Sequence, residues 1–417
     1  MLPEGWRQVP LHTVAEIRTG LAKGKQGLID PVELPYLRVA NVQDGHFDLS
    51  EIKSIQVERN AVQRYVLQAG DVLMTEGGDF DKLGRGAVWT GRIAQCLHQN
   101  HVFAVRPRRG VLNPTFLAAL SSSRYGRAYF EGCAKRSTNL ASINSSQLKD
   151  FPVLLPPHHE QEQIAKVLQV WDAAITATEK LLANSRAQKR QLMSTLLVEP
   201  RAPDARRDRW IHIDLDRVFE RITRKNTVGN GNILTISGQR GLISQRKFFN
   251  KSVASADLRG YTLLERGDFA YNKSHSNGYP VGAIKPLLEH ERGVVSSLYI
   301  CFRIRPSAKT NFDFYRHYFE AGMLNKEITS IAQEGARNHG LLNVSVGDFF
   351  KLRLHVPSVE VQHRIADALN TAEAKELSIE RQLLLLKEEK RALMADLLTG
   401  KRRVRLPDVA APAQRAV

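Results

Sequence analysis

An α+β protein is expected, with two pseudo-symmetric domains joined by two long helices that form an antiparallel coiled coil. Three observations lead there. Lys189–Leu197 reads KRQLMSTLL, and Lys390–Leu398 reads KRALMADLL, 201 residues later. At that offset Pro156 meets Pro357, Ile164 meets Ile365, Leu168 meets Leu369 and Leu182 meets Leu383. Around these stretches apolar residues recur three and four apart. A repeat of about 20–50 residues would signal a solenoid, whereas one of about 200 signals two copies of a domain.

The first helix should run from about His159 to Leu197, entered after Pro156–Pro157 and blocked by Pro200. Its spaced positions are Ile164, Leu168, Trp171, Ile175, Thr178, Leu182, Ser185, Lys189, Leu192 and Leu196. The second copy gives Ile365, Leu369, Ala372, Glu376, Ile379, Leu383, Leu386, Lys390, Leu393 and Leu397. Alternation sustained over some four heptads is a coiled-coil seam, with the Leu and Ile positions as its spacer core. Ser358 can cap the second helix, and Gly400 stands where a terminator belongs. Lys189 and Lys390 interrupt the seam at equivalent places. Each either fixes register as a polar seam residue or carries its ammonium out to water. The first helix leaves one head and reaches the other, and the second leaves that other head, so a packed pair must be antiparallel. Each helix is about 40 residues, or about 60 Å, so a rod should hold the heads apart.

The expected division is residues 1–157, 158–199, 200–357 and 358–401, namely head, helix, head and helix, with 402–417 a disordered tail. Arg201–Arg209, RAPDARRDR, links the first helix to the second head. Correspondences between heads drift: Trp6 with Trp210, Gly45 with Gly241, Gly70-Asp71 with Gly267-Asp268, and Pro107 with Pro306. Loop insertions and deletions on a common scaffold produce such drift. Short β runs (Val102–Val105, Tyr299–Ile304) beside helical stretches (Pro114–Arg124, Asp313–Gly322) suggest heads with a curved or barrel-like sheet.

Composition bounds the rest. The 417 residues are 42% hydrophobic and 25% charged, values of a globular protein. No run approaches eighteen apolar residues, so no membrane span is expected. The start, MLPEGWRQVP, lacks an apolar signal region, so cytoplasmic residence is expected. Cys96, Cys133 and Cys301 are far apart and should be buried free thiols rather than a disulfide framework or metal site. The net charge of +17, spread along the chain, favours a polyanion partner, most commonly nucleic acid.

A catalytic centre is not found. No phosphate-binding G-x-x-x-x-G-K-[ST] loop occurs, and no G-x-G-x-x-G follows a strand. Asn113-Pro114-Thr115-Phe116 misses the N-P-P-[FY] motif of adenine-N6 methyltransferases at Thr115. Gly77-Gly78-Asp79-Phe80 lacks the adjoining carboxylate of a diguanylate cyclase signature. The histidines form no metal-ligand set. A non-enzyme is therefore expected, with no metal and no cofactor bound by this chain.

Two similar but non-identical heads on a rod suit reading two segments of one duplex, and at this point the strings become recognisable. The opening LPEGWRQVPLHTVAEIRTG, the junction LKDFPVLLPPHHEQEQIAKVL and the ending LMADLLTGKRRV resemble the specificity (S) subunit of type I restriction-modification systems. In the first head GDVLMTEGGDFDKLGRGAVW and CLHQNHVFAVRP look like one version of its target-recognition domain. In the second, GDFAYNKSHSNGYPVGAI and GVVSSLYICFRI look like another. The second head opens RWIHIDLDRVFERITRKN, without Pro-x-Gly-Trp, yet Trp210, Leu215 and Val218 keep the pattern of Trp6, Leu11 and Val14.

The resemblance implies two target-recognition domains, each reading half of a split, asymmetric target in double-stranded DNA. It implies helices that serve as ruler and as platform for two methyltransferase (M) subunits, with restriction (R) subunits added. S-adenosylmethionine would then lie on M, and ATP and Mg on R. Outward apolar residues Trp171, Leu377 and Leu384 are candidates for the M contact.

Candidate base and backbone contacts are polar, planar side chains in head loops. In the first head they are Asp79, Lys82 and Arg85, then Gln99, Asn100 and His101, then Arg136, Thr138 and Asn139. In the second they are Asn272, Lys273, His275 and Asn277, then Ser297 and Tyr299, then Arg337, Asn338 and His339. Arg pairs bidentately with guanine, and Asn or Gln with adenine. The same residue types also close turns. For Gln99–His101 and Asn272 both roles stand open; Arg136–Asn139 and Arg337–His339 are taken as DNA contacts. The alternatives at this stage are a coiled-coil scaffold that binds nucleic acid without sequence preference, and an enzyme with an unfamiliar site.

Overall fold

The computed structural model describes residues 2–24, 26–78, 83–136, 141–200, 209–238, 241–245, 257–275, 278–334 and 342–404. These form two compact units, Met1–Glu179 with Arg381–Val417, and Lys180–Glu380. Each unit holds one head and one stretch of each long helix. The link at 201–208 and the tail from 405 lie outside the described residues.

In the first unit the head is closed by its own ends: Arg7–Pro10 pairs antiparallel with Pro152–Leu155. Between them lies a four-stranded antiparallel sheet ordered Ala15–Thr19, Val102–Pro107, Val72–Thr75, Gly86–Val88. Successive side chains of a strand point to opposite faces, and here both faces are covered. Val72, Met74, Phe103 and Val105 enter a core with Phe116, Leu117 and Leu120 of the helix Pro114–Ser122. Leu73, Val102 and Ala104 enter a second core with Leu37, Trp89 and Cys96. Two-sided burial explains why Val72–Thr75 reads as an unbroken apolar run rather than an alternating one.

The second unit repeats this plan. Ile211–Asp214 pairs with Arg353–Val356, and the sheet order is Phe219–Arg221, Ile300–Ile304, Phe269–Asn272, Ala283–Pro286. Trp210, Leu215 and Val218 are as buried as Trp6, Leu11 and Val14. Register gives the true correspondence: Val72 faces Val105, and Phe269 faces Phe302. Arg108 donates its N–H to Val14 O at 2.9 Å, and Arg305 donates its N–H to Val218 O at 2.9 Å. Pro107 therefore corresponds to Ile304, and its expected match with Pro306 is two residues out of step. The fill differs although the skeleton agrees. Ala15, Val72 and Val105 are replaced by Phe219, Phe269 and Phe302, whose rings meet edge-on or stacked at 5.2–5.8 Å. Such ring pairs add about 0.5–1.5 kcal/mol each beyond area burial.

The shared Gly-Asp is a turn in both heads. Gly70 and Gly267 have φ of 96° and 90°, open to glycine at no steric cost. Asp71 Oδ2 accepts the Gln68 N–H at 2.8 Å, and Asp268 Oδ2 accepts the Glu265 N–H at 2.7 Å. Each carboxylate then meets an arginine, Arg106 in one head (2.7 Å) and Arg224 in the other (2.5 Å).

The long helices are His158–Leu196 and Val359–Leu397, and Gly400 follows the second with φ 73°. In the first unit Lys390 meets Asp172 at 2.5 Å and Lys387 meets Glu179 at 2.7 Å. In the second, Lys189 meets Glu373 at 3.1 Å and Arg186 meets Glu380 at 3.2 Å. Numbers rise along one helix as they fall along the other, so the segments run antiparallel within each unit. Adding 201 to one partner and subtracting 201 from the other converts each pair of one unit into a pair of the other. The seam lysines therefore end on carboxylates rather than in water, their side chains only 14% and 22% exposed.

Ile164, Leu168, Leu182, Ile365, Leu369, Ile379, Leu383 and Leu397 are buried, while Ile175, Leu196 and Leu393 are half-buried. Leu192 is a correction: it is 38% exposed, and Met193 and Leu197 are buried instead. Beyond Lys189 the helix packs on the second head, where Met193 and Leu197 join Trp210, Leu215 and Phe314. Packing there follows the natural turn of about 3.6 residues, not the 3.5 of a helix seam. Leu397 and Leu398 join the first head's core in the same manner. Val170, Leu181, Leu377, Leu384 and Leu385 are exposed, and Trp171 is half-buried.

A double-mutant cycle tests the paired lysines. Lys390→Glu sets two acids against each other and should cost about 1 kcal/mol in urea unfolding. Adding Asp172→Lys should return about 0.5–1 kcal/mol, and a coupling of zero would remove this ion pair from the packing account.

Candidate nucleic-acid interface

The loops singled out from sequence meet where Val72–Thr75 ends and Val102–Pro107 begins. Glu76 is the hub. Its N–H donates to His101 O at 3.0 Å, and its own carbonyl accepts the Ile143 N–H at 2.8 Å. Its Oε2 lies 2.5 Å from His101 Nδ1. Next, Gly77–Gly78 pairs with Ala141–Ser142, which pairs with Lys135–Arg136. A Cβ on Gly77 would stand 2.7 Å from Ala141 O, so only glycine lets these backbones approach. Gly77–Gly78, the turn at 99–101 and the paired segments Lys135–Arg136 and Ala141–Ser142 thus gather at one end of the sheet.

Individual positions differ in kind. Gln99 and Asn100 form the turn itself: their N–H groups donate to Leu37 O and Leu21 O, each at 2.9 Å. His101 is the exposed one of the three. Arg85 is half-buried, its Nε without a hydrogen-bond partner among the described residues, and its carbonyl accepts the Thr75 N–H. Arg136 lies on its strand. Asp79, Lys82, Thr138 and Asn139 lie outside the described residues.

The second head converges in the same way. Lys273 O accepts the Leu342 N–H at 3.0 Å, from the hairpin Gln333–Glu334 with Leu342–Asn343. Lys273 therefore stands where Glu76 stands in the first head. Asn272 closes a turn, its Oδ1 accepting the Ser274 N–H at 3.1 Å. His275 and Ser297 are exposed and Tyr299 half-buried at the entry to Ile300–Ile304. Asn277, Arg337, Asn338 and His339 lie outside the described residues. Sequence reasoning missed Glu76. The signal for it was positional: it directly follows a fully buried strand and precedes two glycines.

Burial pushes the Cys96 and Cys301 thiols up to about 12, so both stay protonated and inert. Cys96, Cys133 and Cys301 are all free. Among the described residues no cluster of His, Cys, Asp and Glu could hold a metal ion, and no helix is long and apolar enough to cross a membrane. At the opposite end of the first head's sheet a groove of about 560 Å³ is lined by His12, Glu16, Arg106, Arg108 and Lys149. The Asn113-Pro-Thr-Phe motif is a helix start: Asn113 Oδ1 accepts the Phe116 N–H at 3.0 Å, and Pro114 takes the first turn.

Two buried histidines give a pH signature. His98, whose Nδ1 lies 2.6 Å from Val102 O, and His317, whose Nε2 lies 2.9 Å from Asn370 Oδ1, are held below the ordinary histidine range, chiefly by burial. The unfolded chain takes up these protons near pH 6.5, the folded chain only at lower pH. Stability should be complete above about pH 6.5 and fall on acidification, by at most about 1.4 kcal/mol per pH unit for each group. Urea midpoints of the wild type and His98→Gln at pH 7.5 and 5.5 measure this. The variant should show the smaller drop, and equal drops would exclude His98 as a contributor.

Residues 3–184 match the type I restriction modification DNA specificity domain. A putative type I restriction enzyme MjaX specificity subunit of Methanocaldococcus jannaschii is 29% identical over 200 residues, covering 48% of this chain and 47% of that protein. The type I restriction enzyme EcoKI specificity subunit of Escherichia coli K12 is 27% identical over 216 residues, covering 48% and 45%. The chain thus spans about half the length of the curated relatives it matches. In fold it is similar to a chain solved in work on complex assembly and conformational transition of the type I R-M system, with TM-score 0.62, 16% identity and coverage of 96% and 100%. It is also similar to the type I restriction-modification S subunit from M. genitalium, with TM-score 0.52, 12% identity and coverage of 96% and 97%. The chain is therefore similar to the type I restriction enzyme specificity subunits, and its residues 3–184 carry the likeness to the type I restriction modification DNA specificity domain.

Proposed function

We propose that this chain is the sequence-specific DNA-binding specificity subunit of a type I restriction-modification complex. One observation carries the proposal most. Two heads share a sheet and its register, yet place opposite chemistry, Glu76 and Lys273, at the same junction of loops. A carboxylate accepts from cytosine N4, whereas an ammonium donates to guanine O6 or N7. Two such heads would read two different half-sites, which makes a split and asymmetric target in duplex DNA. The charge of +17 would supply the sequence-independent phosphate attraction that holds register.

The long helices would form an antiparallel coiled coil between two target-recognition domains and set the spacer between half-sites. Their outward apolar residues, Leu377 and Leu384 among them, would dock two M subunits, and R subunits would join that assembly. M would carry S-adenosylmethionine and extrude the target adenine from the duplex, and R would use ATP and Mg. This chain would remain non-catalytic, bind no cofactor and act in the cytoplasm on double-stranded DNA.

Methylome sequencing of cells expressing the cognate M subunit, with and without this chain, tests the proposal. Methyl-adenine at a split motif only when the chain is present supports it. No motif from an assembled complex would favour a scaffold that binds nucleic acid without sequence preference. Within that assay, His101→Ala and Glu76→Gln should each weaken methylation about tenfold or more while altering only one half-site, since a good base contact is worth about 1–3 kcal/mol. Four residues inserted at matched positions of both helices add about 6 Å, or roughly two base pairs. The spacer should lengthen accordingly with both half-sites unchanged, and an unaltered spacer would defeat the ruler.

A further inference from the structure

Each long helix begins with a buried glutamine that does the same work twice. Gln161 is 0% exposed and Gln362 is 3% exposed, and they stand 201 residues apart. Gln161 Nε2 donates to Pro156 O and to Val111 O, both at 2.9 Å, and its Oε1 accepts the Asn113 N–H at 2.8 Å. Gln362 Nε2 donates to Pro357 O at 3.1 Å, and its Oε1 accepts the Asn311 N–H at 3.0 Å and the Thr310 hydroxyl at 2.7 Å. Asn113 and Asn311 are themselves the caps of Pro114–Ser122 and Phe312–Glu320, the head helices that cover the central sheets. One side-chain amide thus ties the first turn of a long helix to the segment entering it and to the capped end of a head helix.

We infer that Gln161 and Gln362 are positioning residues that fix the angle of each head on its own helix, and so fix the spacing at which two half-sites can be read. The inference rests on the specificity-subunit reading above. A buried amide with both its donor and acceptor sides occupied has one orientation, and leaving its partners unpaired is costly. Apolar packing between head and helix is less directional and would allow the head to rock. The spacing consequence follows from length: a head that tilts by a few ångströms spans about one base-pair rise.

The two joints are unequal. In the second head Arg316 also reaches the long helix, donating to Glu373 Oε2 at 2.6 Å and to Asn370 Oδ1 at 2.7 Å. At the comparable place in the first head, Gln169 Nε2 reaches Thr115 Oγ1 only at 3.5 Å. The first joint has its own second tie, Trp6 Nε1 donating to Glu160 Oε2 at 3.2 Å, whereas Trp210 Nε1 has no hydrogen-bond partner among the described residues. Loss of either glutamine should therefore loosen its head.

The test uses the full chain with its cognate M subunits and compares Gln161→Met, Gln362→Met and the core control Val105→Ala. Methylome sequencing should show Gln161→Met spreading methylation to spacers one base pair shorter and longer, at about a tenth of sites or more, with both half-sites unaltered. Gln362→Met should spread it likewise, and Val105→Ala should lower the melting temperature while keeping one spacer. A single spacer in Gln161→Met would overturn the inference. A second measurement is independent of DNA: spin labels at Arg92 and Lys166, both exposed. Their distance distribution should broaden in Gln161→Met and stay narrow in Val105→Ala, and an unbroadened Gln161→Met would overturn the joint by itself. Broadened distances alongside a wild type that yields no split motif would instead keep the joint and refute the specificity reading. If Gln161→Met fails to fold, Gln362→Met carries both measurements, with the spin labels moved to the exposed Glu289 and Asp367 of the second unit.

Discussion

Everything in this molecule depends on a conflict of periods within each long helix. Against another helix, side chains should repeat every 3.5 residues; against a head, the natural turn of about 3.6 suffices. The chain meets both demands in one helix. Leu182 and Ser185 keep the seam, and from Lys189 the buried positions move to Met193 and Leu197. The change falls next to the ion pair of Lys189 with Glu373, and it leaves Leu192 exposed. The second helix also enters its head beyond Lys390, but there the seam positions Leu393 and Leu397 stay covered and Leu398 is buried beside them.

With helix ends rooted in head cores, the heads inherit a common frame. The Gly-Asp turn, the closing pair of strands and the four-stranded sheet recur with the same hydrogen bonds. Fill and loops are where the copies part. Aliphatic Val72 and Val105 become aromatic Phe269 and Phe302, and acidic Glu76 becomes basic Lys273. The first change keeps the sheet buried by other means. The second replaces an acceptor carboxylate with a donor ammonium at the loop junction.

Much of this was legible in sequence because helices advertise themselves by spacing. The Trp6, Leu11 and Val14 frame is buried, as are Cys96 and Cys301, whereas Cys133, also expected to be buried, is half-buried. Leu192 was misplaced because a fixed heptad count cannot sense where a helix trades one partner for another. Pro107 and Pro306 looked equivalent because proline is conspicuous, while strand register, invisible in one sequence, matched Pro107 to Ile304. Glu76 was passed over because its importance comes from three backbone segments meeting, and no local pattern encodes a meeting. Of the candidate contacts, His101, His275 and Ser297 are exposed, whereas Gln99, Asn100 and Asn272 shape turns.

The sheet buried on both faces has a further consequence for how such a protein diversifies. A central strand such as Val72–Thr75, with no solvent-facing side chains, leaves little room for change along its length, so variation is channelled to its ends. A lineage can then exchange Glu for Lys beside a loop without renegotiating the packing beneath it. Innovation and solidity occupy different atoms, and a new target need not begin with a weakened fold.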